Sequence, residues 1–110
     1  MSRSTAVKTV RAFLNGDKLK VNNTHTNGTE LYLFGNKIAY KKDNDIIISM
    51  CGYNTLTTKD RLNCLIDHVR PDYKIFTKDY TPFLVNCRTN ESLKLNAQDE
   101  YNLSEVLKND

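Results

Sequence analysis

Four turn signals, Asn15-Gly16, Asn27-Gly28, Gly35-Asn36 and Asp43-Asn44-Asp45, cut the first half of the chain into short runs rich in β-branched and aromatic residues. Asn-Gly pairs accommodate the positive φ angles of tight hairpins, so a chain divided in this way favours an antiparallel meander. Val7 to Leu14, Leu19 to Thr26, Thr29 to Phe34, Lys37 to Lys41 and Ile46 to Met50 read as about five short strands. In the third run Leu31 and Leu33 face one side and Tyr32 and Phe34 the other, which suits a strand central in its sheet.

After Gly52 the period changes. Thr57 or Thr58 serves as a helix cap, and Leu62, Leu65, Ile66 and Val69 recur on one helical face. Arg70-Pro71 ends the helix, because proline disfavours helical geometry in the residue before it. Tyr73 to Thr77, Thr81 to Asn86 and Ser92 to Leu95 read as further strands, with Pro82 at the start of its strand or on a sheet edge. A short C-terminal helix falls between Ala97 and Leu107, on a partial stripe of Tyr101, Leu103, Val106 and Leu107. The expected class is α+β: one domain over residues 1–110, an antiparallel meander packed on one central helix, with residues 1–6 flexible.

At 110 residues the chain is one ordinary domain. No apolar run reaches the roughly 18 residues that span a bilayer, and Met1 to Thr5 lack a signal peptide's hydrophobic stretch. Cys51, Cys64 and Cys87 are odd in number and widely spaced, which argues against a disulfide framework and for a reducing cytoplasm. The expectation is a cytoplasmic protein without a membrane partner. Sequons at Asn22, Asn27, Asn90 and Asn102 carry no weight in that setting.

Charge is uneven. Residues 1–42 hold eight Lys or Arg against Asp17 and Glu30, giving +6; residues 43–110 hold eight against eleven acids, giving −3; the sum is +3. A basic half attracts phosphate or an acidic protein surface, although dispersed lysines are more often a solvated face. Tyr32, Phe34 and Tyr40 on strands, with Lys37, Lys41 and Lys42 beside them, are the candidate nucleic-acid contacts: aromatics to stack bases, cations to neutralise phosphates. Their plain alternative is a sheet core, and the signature of an RNA-recognition sheet is missing.

Cys64 and His68 stand four apart on the expected helix, as two zinc ligands would, but no Cys-x-x-Cys pair completes a site with Cys51 or Cys87. Isolated cysteines of this kind behave as small core hydrophobes. A nucleophilic Cys with His25 or His68 has no supporting motif, and nucleophile elbows, phosphate loops and dinucleotide fingerprints are all missing. The expectation is therefore no enzyme, no catalytic residue, no cofactor and no metal.

The stretch from Asn23 to Ala39 (NTHTNGTELYLFGNKIA) resembles a recurring segment of small tailed-bacteriophage proteins. Gly52-Tyr53-Asn54-Thr55 and Thr57-Thr58-Lys59-Asp60-Arg61-Leu62-Asn63 resemble the segment that follows it, so residues 7–66 are covered. Much of this motif is explicable as turn and strand chemistry, with Asn63 serving the helix or its contact with a turn. The resemblance implies a phage gene product without assigned catalytic residues or cofactor. By analogy of size and origin it implies an accessory protein that binds a host bacterial protein, in host takeover or anti-defence. The alternative is an RNA- or single-stranded-DNA-binding module using the basic half.

Overall fold

The first run is a helix, not a strand. In the computed structural model, which describes residues 2–53 and 55–106 with side chains from Ala6 onward, Ser2–Asn15 forms α1. Ala6, Thr9, Val10 and Phe13 are fully buried, spaced three and four apart as one helical face requires. β-Branched Val7, Thr9 and Val10 favour a strand by propensity, and burial of this stripe overrides it. Asn15-Gly16 is the helix terminus. Gly16 sits at φ 82, its N–H donates to Phe13 O at 3.3 Å, and Asp17 N–H reaches Ala12 O at 2.8 Å, the paired bonds of a Schellman end. Residues 2–6, expected to be flexible, belong to this helix; Met1, Asn54 and Leu107 lie outside the described residues.

The meander follows as β1 (Leu19–Val21), β2 (Thr24–Thr26), β3 (Glu30–Leu33), β4 (Asn36–Lys42) and β5 (Asp45–Ser49). Leu19 to Thr26, read as one strand, folds back at Asn22-Asn23, with Asn22 at φ 54. These strands lie side by side in sequence order, all antiparallel, with β3 third of six. The sixth is β9 (Glu100–Asn102), paired with β5. It takes residues expected to be helical, and leaves α3 only Leu103–Val106.

Helix α2 (Leu56–Val69) starts two to three residues earlier than Thr57 or Thr58 as cap implies. Thr55 is the cap, accepting the Thr58 N–H, while Thr58 is buried. Leu62, Leu65 and Ile66 enter the core as expected, whereas Val69 stays exposed. β6 (Tyr73–Lys78), β7 (Thr81–Asn86) and β8 (Ser92–Lys94) make a second antiparallel sheet in that order. Pro82 stands at the start of β7, which is central. The core joins Phe13 of α1, Leu31 and Ile38 of the large sheet, Leu62 and Leu65 of α2, and Ile75 and Leu84 of the small sheet. A Cα radius of gyration of 12.9 Å matches the roughly 13 Å expected of one domain of this length.

Two polar contacts, one buried at Arg61 and one half-buried at Asn63, fix α2 against the sheets. Arg61, 2% exposed, donates from Nε to Thr24 Oγ1 at 3.0 Å, from Nη2 to Asn23 Oδ1 at 3.2 Å and from Nη1 to Asp60 Oδ2 at 2.7 Å. It thereby joins the two separated parts of the phage-like motif. Asn63 acts at the other sheet. Its Nδ2 donates to Ile75 O at 3.1 Å and its Oδ1 accepts Ile75 N–H at 2.7 Å, occupying the place of a neighbouring strand at the β6 edge.

Unpaired edges invite association with other chains. Asn63→Ala is accordingly expected to lower stability by about 1–3 kcal/mol through the orphaned Ile75 groups. It should also produce concentration-dependent self-association, read by denaturant melts and sedimentation velocity; an unchanged, monomeric variant contradicts the edge-blocking role.

Candidate functional site

The six-stranded sheet receives α1 and α2 on one face, where Thr24, Thr26, Leu31, Leu33 and Ile38 are buried. Its other face carries a polar and aromatic row. Lys20 pairs with His25, His25 with Tyr32, and Tyr32 with Lys37 across β1 to β4. The His25 and Tyr32 rings stack at 4.7 Å with planes 11° apart. Lys37 Nζ lies 5.1 Å from the Tyr40 ring centre.

A register shift between Leu31 and Tyr32 places one extra residue in β4. Ile38 and Ala39 are consecutively buried as a result, and strict alternation fails there as a bulge requires. Of the expected nucleic-acid residues, Tyr32, Lys37 and Tyr40 share this face, and alternation returns Lys42 to it. Lys41 and Phe34 do not. Lys41 turns toward α1, its Nζ 3.0 Å from Gly28 O and 5.2 Å from the Phe13 ring centre. Phe34 sits in the β3–β4 turn.

Glu30 neutralises much of this row. Its carboxylate accepts from Asn27 Nδ2 at 2.9 Å, the Tyr32 hydroxyl at 2.8 Å and Lys37 Nζ at 3.0 Å. The Asn27 amide, then the Tyr32 hydroxyl and Lys37, hold its pKa down to about 2, and the Glu30 carboxylate raises those of Lys37 and Tyr32. At the far end the Tyr40 hydroxyl donates to Glu100 Oε1 at 2.8 Å, and that bond raises its pKa.

A carboxyl whose pKa is lower folded than unfolded adds stability above its unfolded value, lost as pH falls through the folded one. The Glu30 contribution should therefore be complete above about pH 4.5 and vanish toward about pH 2. Glu30→Gln is expected to flatten the stability profile across that window in acid denaturation followed by circular dichroism. Identical profiles for the two proteins contradict the assignment.

A different cluster gathers at the start of α2, where two tight turns meet. Leu33 pairs with Asn36, so the β3–β4 loop is Phe34-Gly35, one residue earlier than Gly35-Asn36. Both loop residues have positive φ, 51 and 79, the geometry of a type I′ turn, in which Asn or Gly is strongly preferred at the place Phe34 holds. The second turn, Met50 to Tyr53, has Cys51 at φ 53 and Gly52 at φ 83, closed by Tyr53 N–H on Met50 O at 2.8 Å.

Phe34 is 69% exposed, Tyr53 54% and Leu56 82%. Phe34 and Tyr53 rim a concavity of about 450 Å³ floored by Leu33, Ile38 and Met50. Every residue lining it is uncharged. Tyr53 escaped the sequence reading because nothing local couples it to Phe34; the one available signal was an aromatic residue directly after a Cys-Gly turn. Tyr80, 95% exposed at φ 64 in the β6–β7 turn, breaks the same turn preference.

The metal and nucleophile candidates are dispersed. Cys64 is buried in the core, Cys51 is half-buried and Cys87 exposed, all three as free thiols. His68 Nδ1 lies 2.8 Å from the Cys64 backbone oxygen, not its sulfur. No group of three or more His, Cys, Asp or Glu side chains suited to a metal occurs among the described residues. No helix among them is long and apolar enough to cross a membrane.

The profile of the Kyanoviridae Gp96 protein family matches residues 2–106. The chain belongs to that family. Kyanoviridae Gp96 is a family of phage proteins, in keeping with the tailed-phage resemblance, and the match extends well past residues 7–66 to take in α1, the small sheet and β9. No curated protein and no solved structure matches this chain. Within it, Arg61 on Asn23 and Thr24, Thr55 capping α2, and Asn63 on β6 give folding roles to much of the phage-like motif. Phe34 and Tyr53 stand in the same motif with their rings in solvent.

Proposed function

We propose that this member of the family is a non-enzymatic phage accessory protein that docks a host bacterial protein in the cytoplasm, as a takeover or anti-defence factor. The surface around Phe34 and Tyr53 is its contact. The observation that carries this reading is Phe34 itself: a large aromatic side chain kept in solvent, at a turn position whose backbone geometry favours Asn or Gly. Left-handed conformations at bulky residues cost about 1–3 kcal/mol and concentrate at functional sites, and exposed aromatic anchors beside a preformed hollow are the usual centres of protein interfaces.

The lining chemistry narrows the partner. An uncharged hollow with a Leu, Ile and Met floor and Asn36, Thr55, Thr57 and Thr58 in its wall accepts one or two projecting apolar side chains flanked by hydrogen-bonding groups. A charged side chain placed there would lose hydration with no opposite charge in the lining to pair with it.

Affinity capture from bacterial lysate at moderate salt, with the intact protein as bait, tests the reading. One host protein enriched at near-equal stoichiometry is expected. Failure to enrich any host protein contradicts it.

A further inference from the structure

The sequence's charge asymmetry becomes a spatial one. Because β1 to β5 lie in chain order, the +6 half, residues 1–42, occupies α1 and the β1–β4 end of the sheet, and the acidic half occupies the remainder. At that end Lys18 and Lys20 are exposed and, with Leu19, His25 and Thr26, line an open concavity of about 520 Å³. Lys18 and Lys20 take no part in any ion pair shown among the described residues. The His25–Tyr32 stack stands immediately inside them, so two exposed cations and an aromatic stack share one edge. Glu30, the nearest carboxylate on the Tyr32 side, already holds Lys37.

We infer that this edge is a second site, separate from the Phe34–Tyr53 hollow, and that it binds single-stranded nucleic acid. Lys18 and Lys20 contact successive phosphates, and one base extends the stack on the side of His25 away from Tyr32. Single strands suit it because a base must be unpaired to join such a column, and stacking of this kind tolerates any base. The site differs from the residues the sequence suggested: Lys18, Lys20 and His25 replace Phe34 and Lys41, and Lys37 is committed to Glu30.

Fluorescence anisotropy with labelled oligothymidylate and oligouridylate of about 15 nucleotides tests the site. Two phosphate contacts on a single strand predict a slope of log affinity against log salt of about −1.4. Lys18→Glu with Lys20→Glu should lower affinity at least about tenfold and flatten that slope. His25→Ala should weaken binding about fivefold or more with the slope unchanged, and His25→Phe should restore it. Phe34→Asn should bind the oligonucleotides as wild type does, so loss of this site leaves the docking surface standing, and the reverse.

No binding at about 20 mM salt, or wild-type affinity in the double lysine variant, overturns the proposal. So does inorganic polyphosphate or polyglutamate competing as well as the oligonucleotides while His25→Ala has no effect, since charge alone then accounts for binding.

Discussion

Replacing Arg61 by alanine is expected to destabilise the fold by about 3–5 kcal/mol, the usual cost of breaking a buried pair from one side. That is a large share of the roughly 5–15 kcal/mol that holds a typical domain together. The guanidinium is 97% shielded as a side chain, and its three bonds to Thr24, Asn23 and Asp60 span α2 and the β1–β2 turn. Its removal takes the cation from the half-buried Asp60 carboxylate and one donor each from the Thr24 and Asn23 oxygens, which stay joined to each other at 2.8 Å. Arg61→Lys should recover little, because an ammonium cannot reproduce a fork directed at three acceptors. Urea denaturation reads both variants; a loss below about 1 kcal/mol in Arg61→Ala indicates an exposed, weak contact and contradicts the buried bridge.

The second large effect runs opposite ways in stability and binding. Phe34→Asn places a residue that tolerates left-handed backbone into a turn that favours it, and should raise stability by about 1 kcal/mol. The same change removes the exposed ring from the hollow. Together with Tyr53→Ala it should weaken binding of the captured host protein by at least about 2 kcal/mol, roughly thirtyfold. A residue present only for the fold cannot produce that pair of results. A Phe34→Asn protein that is less stable than wild type counts against strain at the turn.

Much of the sheet was legible because its turns use residues with specific backbone needs. Asn27-Gly28 and Asp43-Asn44 lie between the strands they separate, with Asp45 opening β5. Asn15-Gly16 misled, since a glycine at positive φ closes a hairpin and ends a helix equally well, and only the Ala6, Thr9, Val10, Phe13 spacing distinguishes the two. The bulge that buries Ile38 beside Ala39 depends on pairing with β3, which has no local signature. Arg61 reads as a solvated charge until Asn23 and Thr24, far away in sequence, are brought against it. The candidate hollow was half visible for the same reason: Phe34 stood out on its own strand, whereas Tyr53 joins it only after two turns converge on α2.

Amide hydrogen exchange on the protein alone and bound to its captured host protein most directly tests whether that surface is the contact. Strong added protection at residues 33–36 and 50–58, excluding the undescribed Asn54, is predicted, with the His25–Tyr32 face unchanged. Protection confined to other surfaces, or full binding by the Phe34→Asn, Tyr53→Ala double variant, would contradict it.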